Sequence, residues 1–474
     1  MNSIQYLSTL KASKAYTSHY VNQYDENCTA GGGFFKWIQN NNAGVQEIYG
    51  FRIIPTTTTL GYWERVVEGP WKVEWFGVMN IAGQGTLASY GFTTTDLNTR
   101  YNIGGSNVVT TSDTYDTAAI KFVFNLMELG YTFSVDFQSK EYYIASTCNL
   151  PRRATTLVVR PFDIFEINGN GAQINPHSTV TSVAFDLFSR VISSQIDANA
   201  QVTTKFKIDS LLFKGDLFSP IHTGLHLKCT YNSELSNLVF SSLATGLHLR
   251  FCQNALVTEV LVDAVTTQGI VVDSGEGAWP GTFYVTNNSA SKDVELKKCR
   301  FTGSSAALIC IRINGASGVH VNQPSFISGG SMGRGIWYDS KNAPAIKDLT
   351  ITKPHINVLF ADEAIYLEPS SGSQIEISEL DCPYTGRVIR CNTSIYTHTT
   401  LSNLIVRNLS YLNPSSQFQD TGGSTQWIFE YSRVDPTALG RWVAAAMPII
   451  GTWSATPNAN PNARLFDVYP FPVR

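Results

Sequence analysis

The sequence predicts an all-β chain: a right-handed parallel β-helix, a solenoid with a capping α-helix and small N- and C-terminal modules. The first observation behind this is a strand-like hexapeptide that returns at near-constant spacing. Thr223-Gly224-Leu225-His226-Leu227-Lys228 recurs 22 residues on as Thr245-Gly246-Leu247-His248-Leu249-Arg250, and 23 residues after that as Gln268-Gly269-Ile270-Val271-Val272-Asp273. The second is another strand-like run between the copies, such as Leu235 to Phe240 and Leu256 to Leu261. The third is composition: 15% charged and 12% aromatic residues with 36 glycines favour strands and tight turns over helices. A repeat of 20 to 50 residues is the mark of a solenoid. A leucine-rich repeat would need a fixed Leu/Asn consensus, and a sandwich would show turns every 8–12 residues without identity from copy to copy. An elongated repeat also absorbs 474 residues without splitting into many cores.

Taken in order, residues 1–70 form a small N-terminal module rich in Gly, Asn and aromatics, with Gly31-Gly32-Gly33-Phe34-Phe35-Lys36-Trp37 and Tyr62-Trp63-Glu64-Arg65 as short strands. The β-helix spans 71–415. Its one helix is expected at 117–129, with Asp116 as N-cap, Ile120, Val123, Phe124 and Met127 on one stripe, and Gly130 closing it at C′. From Tyr131 the period changes to two, and Phe165 to Ile174 reads as strand, Gly-rich turn, strand. Later copies of the repeat are Cys310 to Asn314, Gly335 to Asp339 and Ala364 to Glu368. The rung pattern breaks after about 415, and 416–474, with Trp427, Trp442 and Trp453 and the Pro457 to Pro461 stretch, reads as a C-terminal cap or trimer contact.

Stacking such coils at about 4.8 Å puts alternate side chains into apolar columns. The inward positions are Leu225/Leu227, Leu247/Leu249, Ile270/Val272, Ile311/Ile313, Ile336/Tyr338 and Ile365/Leu367. The alternate residues then form two exposed columns. One runs His226, His248, Val271, Arg312, Trp337, Tyr366; the other runs Lys228, Arg250, Asp273, Asn314, Asp339, Glu368. The long interval from Asp273 to Asn314 leaves room for an extra rung. The helix covers an end of the solenoid that would otherwise be an open edge.

The net charge of -3, with no basic block, argues against a nucleic-acid partner. No apolar stretch reaches 18 residues, so no membrane span is expected, and the N-terminus lacks the apolar core of a secretory signal. The eight scattered cysteines form no CxxC pair, which fits reduced, buried thiols and a chain made in a cytoplasm.

Two stretches are similar to phage tailspikes and pectate-lyase-like proteins. Val73-Glu74-Trp75-Phe76-Gly77-Val78 followed by Asp113-Thr114-Tyr115-Asp116-Thr117-Ala118-Ala119-Ile120 resembles the family's passage from a strand into the capping helix, and Ile167-Asn168-Gly169-Asn170-Gly171-Ala172 resembles its first-rung turn. This chain departs from the pattern in an insertion of about 34 residues between Val78 and Asp113 and in lacking the usual Asp-Gly before the paired Asp. The resemblance implies a homotrimer, a virion (phage tail) location after synthesis in the bacterial host cytoplasm, attachment to other tail or baseplate proteins through the N-terminal region, and recognition of host surface polysaccharide along the helix flank. Depolymerase activity is common in the family and not universal.

The outward columns combine Trp337, Tyr366 and Arg312 with Asp339 and Glu368, a mixture that suits a glycan: aromatic faces stack on a pyranose and carboxylates accept from hydroxyls. Two carboxyls about 5 Å apart suit a retaining glycosidase and about 6.5–9.5 Å an inverting one. The reading places Glu368 as acid and Asp339 as base or nucleophile, with the order of the two open. Asp273 and Glu276 are held in reserve beside the insertion 274–292, whose Trp279 is a further glycan contact. The same carboxylates also suit a plain solvated ladder. Lys228 and Arg250 beside His226 and His248 argue against a metal there, no calcium-ligand spacing is visible, and no cofactor is expected. Three functions remain open: a non-enzymatic adhesin, a glycan depolymerase of the glycoside hydrolase type, and a structural tail rod.

Overall fold

The computed structural model describes residues 7, 18–152, 164–186, 205–216, 222–274, 291–340, 348–382, 387–392, 402–407, 411–430 and 464–465, apart from short gaps inside these ranges; beyond 407 only the backbone is described. Glu276, Trp279, Cys229, Trp442, Trp453 and the Pro457 to Pro461 stretch lie outside the described residues. The chain divides into two compact units, Met1–Ser189 with Thr203–Gly215, and Arg190–Val202 with Asp216–Arg474.

The first unit begins with a four-stranded antiparallel sheet ordered Ser18–Gln23, Gly31–Ile38, Tyr62–Arg65, Arg52–Ile53. The triple glycine has a steric cause. Gly31 sits at φ +97, and a Cβ on Gly32 would lie 2.3 Å from the carbonyl oxygen of Asn22. The bare backbone leaves carbonyls open to Arg65, whose guanidinium donates to Gly31, Gly32 and Gly50 at 2.7 Å each and lies over the rings of Phe35 and Trp75. Burial pulls the Arg65 pKa down to about 9.

Two helices follow, α1 (Thr94–Arg100) and α2 (Tyr115–Glu128). The sequence reading did not anticipate α1, which occupies the insertion and opens on a Thr93/Asp96 capping box. The N-cap of α2 is Thr114, which accepts from Thr117 N, and not Asp116 as expected. Asp116 is buried in the first turn, where its carboxylate accepts from Met79 N (2.8 Å), Asn80 N (3.2 Å), Tyr143 N (2.9 Å) and Gln84 Nε2 (2.6 Å). The reading missed this because all four donors come from segments far away in sequence. Gly130 does close the helix, at φ +82, with Tyr131 N bonded to Leu126 O. Every residue of α2 is buried, so it acts as an internal cover rather than a half-exposed one. Parallel pairing then starts: Ser134–Asp136 joins Trp71–Lys72 and Ile164–Pro176, which in turn joins Lys205–Lys214.

In the second unit the predicted rungs stand as expected. Each rung supplies a strand to three parallel faces, so a given strand pairs with its counterpart one turn later. The long face runs Thr223–Lys228, Thr245–Arg250, Gln268–Asp273, Ile309–Asn314, Arg334–Asp339, Ile365–Glu368 and Arg387–Asn392. Leu225, Leu247, Ile270, Ile311, Ile336 and Ile365 are register partners in turn, and all are 0% exposed. Fully burying each such side chain contributes roughly 1.5–3 kcal/mol. Asp273 pairs directly with Asn314, so no extra rung intervenes on this face. Rungs also continue past 415: Gln417–Thr421 pairs with Arg387–Asn392, and Thr425–Glu430, which holds Trp427, pairs with Ser402–Arg407. The pattern seemed to break there because these strands lack the Gly-apolar signature. The described cysteines are free and buried, Cys28 among them.

The corner after the second face is built from left-handed residues in column: Asn237, Glu259, Lys298, Gln323, Lys353 and Glu379, with φ from 52 to 55. Each turns the chain sharply while its N–H bonds to the next rung, as Lys298 does to Asn322 O. Only Asn is at home in this conformation. Cross-rung pairs such as Lys298–Glu259 (3.0 Å) and Lys353–Glu379 (3.3 Å) accompany the others.

Candidate functional site

Outward side chains of the long face lie rung over rung as the spacing required. His226 and His248 meet edge to face with ring centroids 5.0 Å apart, and His248 Nε2 is 3.5 Å from Asp273 Oδ2. Desolvation lowers the His248 pKa, with Asp273 opposing the shift. Asn314 reaches the other oxygen of Asp273 at 3.3 Å. This end is a polar ladder in which Asp273 is a hydrogen-bond and ion-pair partner of its neighbours.

Further along, Arg312, Trp337 and Tyr366 share one column by register, and Asn314, Asp339 and Glu368 share the next. Trp337 and Tyr366 meet at 5.8 Å between centroids with planes at 64°. Arg312 lies over the Trp337 ring at 4.9 Å, Arg334 lies over both rings at 4.6 and 4.4 Å, and Arg390 lies over Tyr366 at 5.6 Å. Asn392 Nδ2 donates to the Tyr366 hydroxyl at 3.0 Å. Desolvation raises the Tyr366 pKa, so the phenol stays protonated over the ordinary pH range.

These columns are not the exposed ladders expected. Val271 is 4% exposed, Tyr366 6%, and Asn314 and Glu368 8% each. The side chains lean on one another along the column, because large outward groups on rungs about 4.8 Å apart shield their neighbours. Trp337 and Asp339 are half-buried. Glu368 accepts from Trp337 Nε1 at 2.9 Å, which fixes the indole in place. Asp339 and Glu368 are register partners, so the structure brings the predicted carboxyl pair together across adjacent rungs.

The sequence reading missed the anchor of this patch, Glu363. Its carboxylate is 1% exposed and gathers three arginines from the two flanking rungs: Arg334 Nε at 3.1 Å from one side, and Arg387 at 3.3 Å and Arg390 at 2.9 Å from the other. A buried carboxylate needs such company to stay charged. It also holds Arg334 and Arg390 against the aromatic rings. The sequence signal was Arg334 two residues before Ile336 and Glu363 two before Ile365, equivalent positions in neighbouring copies of the repeat.

A second feature lies on the next face, whose strands include Lys292–Lys297, Ser317–Asn322, Asp348–Thr352, Gln374–Ser378 and Ser402–Arg407. An open groove of about 530 Å³ runs across these rungs, with Asp293, Gly318, His320, Asp348, Thr350 and Glu376 in its walls and floor. Nothing in the repeat pattern marked it, since its floor comes from a side chain that is missing at Gly318. A smaller polar cavity of about 240 Å³ in the first unit is bordered by Asp25, Arg100 and Tyr115, with the Tyr115 hydroxyl donating to Asp25 at 3.0 Å and Arg100 3.5 Å from the same carboxylate.

No protein-family model matches the chain, and no curated protein matches it. Solved structures do. One is WceF of Pantoea stewartii, described as a glycan biofilm-modifying enzyme with a tailspike-like parallel β-helix fold, at 13% identity and a TM-score of 0.47 over 94% of this chain and 50% of that one. The tailspike protein of Acinetobacter baumannii phage AM24 matches at 12% identity and TM-score 0.45, over 91% and 64% of the two chains. The enzymatically active domain of tailspike protein 2 of bacteriophage CBA120 matches at 11% and 0.38, over 91% and 51%. The chain therefore spans about half to two thirds of the length of these structures. On its own strand registers it is a parallel β-helix protein, similar in fold to phage tailspikes and a tailspike-like glycan enzyme.

Proposed function

We propose that the chain recognises a host cell-surface polysaccharide on the long face, as a virion tailspike does. The observation that supports this best is the Trp337–Tyr366 pair, held by Arg312, Arg334 and Arg390 and by the Glu368 bond to the indole. The part-exposed Trp337 ring, locked in place against the buried Tyr366, presents apolar surface at small entropic cost, and the arginines and carboxylates around it offer donors and acceptors to sugar hydroxyls. Attachment to a tail through the N-terminal module and assembly as a homotrimer belong to the same proposal.

A second reading, hydrolysis at the same place, draws on the register pairing of Asp339 and Glu368. Glu368 as general acid would protonate the leaving glycosidic oxygen, and Asp339 would activate water or attack the sugar carbon. Incubation with polysaccharide extracted from the host separates the two. Retention of the polymer with no oligosaccharide release means an adhesin. Release that is abolished in Glu368→Gln and Asp339→Asn proteins of unchanged size and melting temperature means a hydrolase at this pair. The absence of both retention and release would overturn the proposal.

A further inference from the structure

The groove on the second face has a simple origin. Along this face one outward column runs Asp293, Gly318, Asp348, Gln374 and the next runs Glu295, His320, Thr350, Glu376, Ile405, as the strand registers dictate. At Gly318 the first column has no side chain, and at Thr350 the second has a short one. Two rungs of larger groups then stand around a notch that reaches down to the sheet. The backbone disfavours a side chain at Gly318: its φ is +62, and a Cβ would lie 2.5 Å from Asp293 Oδ1.

The chemistry around the notch is mixed. Glu376 is bridged by Arg407 at 2.8 Å, and Lys292 stands 3.9 Å from Asp293. Asp348 is half-buried in the wall, and among the described residues no hydrogen bond or ion pair reaches its carboxylate. His320 is exposed beside it and Ile405 offers an apolar contact at the far end. Carboxylates repel a phosphate-bearing ligand, so a nucleotide is a poor occupant. Hydroxyl groups suit the site: Asp348 and Glu376 accept from them, His320 and Gln374 either donate or accept, and Ile405 meets an apolar ring face. The volume falls within the roughly 300–1,000 Å³ of small-ligand sites.

We propose that this groove is a second saccharide site, separate from the aromatic patch, which takes a short run of hydroxyl-rich sugar units with Asp348 as the principal acceptor. The inference rests on the glycan reading of the previous section. A strand of polysaccharide contacting both faces of one chain gains avidity without any new contact at either.

The test is titration of the full chain with a library of defined bacterial capsular and O-antigen oligosaccharides, followed by calorimetry on the best binder. Thr350→Phe, which fills the notch, is expected to weaken binding about ten-fold or more, and Asp348→Asn about three- to ten-fold, both with unchanged melting temperature. Trp337→Ala is expected to weaken it independently. Unchanged affinity in both groove variants, with loss in Trp337→Ala, overturns the second site and leaves the glycan reading intact. No binding of any oligosaccharide by the unaltered chain overturns the glycan reading itself. If Thr350→Phe fails to fold, Asp348→Asn and His320→Ala decide the matter, and unchanged affinity in both overturns the site.

Discussion

The region around α2 and the rungs of the second unit are both densely buried, yet they are held by different physics. Around α2 the decisive contacts are single and long-range. Asp116 ties together Met79, Asn80, Gln84 and Tyr143; Lys121 pairs with Asp113 at 2.9 Å with both groups buried; Asn125 and Asn107 exchange hydrogen bonds. Every one of these residues has its own task and no copy elsewhere. In the rungs the unit of stabilisation is a column, in which Leu225, Leu247, Ile270, Ile311 and Ile336 repeat the same contact. A one-of-a-kind polar centre fails all at once, whereas a column loses one member and keeps its neighbours.

That contrast is sharpest for Asp116→Ala. It strips an acceptor from four donors, each left short of a partner at about 1–3 kcal/mol. We expect a loss of about 4 kcal/mol or more in denaturant unfolding, or failure to obtain soluble protein; a loss below about 1 kcal/mol would erase the distinction. Leu247→Ala comes next. The cavity it opens should cost about 3 kcal/mol, with faster amide exchange confined to the adjacent rungs. Exchange that rises throughout the second unit would show that the columns act as a single cooperative block. The smallest effect belongs to the corner column. Gln323 holds φ +55 without the tolerance of Asn or Gly, so Gln323→Gly should raise stability by up to about 1 kcal/mol. A fall of that size would mean that the side chain, and not the backbone conformation, matters at this corner.

The same contrast explains what could be read in advance. The rungs were legible because alternation with period two and near-identity at 22 and 23 residues both follow from the geometry of stacking. The spacing of the repeat alone puts Trp337 beside Tyr366 and Asp339 beside Glu368, as the strand register has them. The burial of those columns was not legible, because it depends on how neighbouring side chains lean. Glu363 drew no notice in the sequence, since its role exists only when the rungs on either side bring arginines to it. The groove was invisible for a simpler reason: Gly318 matters for what it leaves out. The network of Asp116 was read as a cap because its spacing before an apolar stripe fits one, and only Thr114, two residues earlier, has the capping geometry.

The glycan reading of the long face is tested most directly by hydroxyl-radical footprinting of the full chain with and without polysaccharide extracted from the host. Side-chain oxidation at Trp337 should fall on addition of the polymer, while the exposed Tyr20 and Phe34 of the N-terminal sheet should oxidise as before. Equal oxidation of Trp337 in the two samples, with the polymer shown to be bound, would contradict the account.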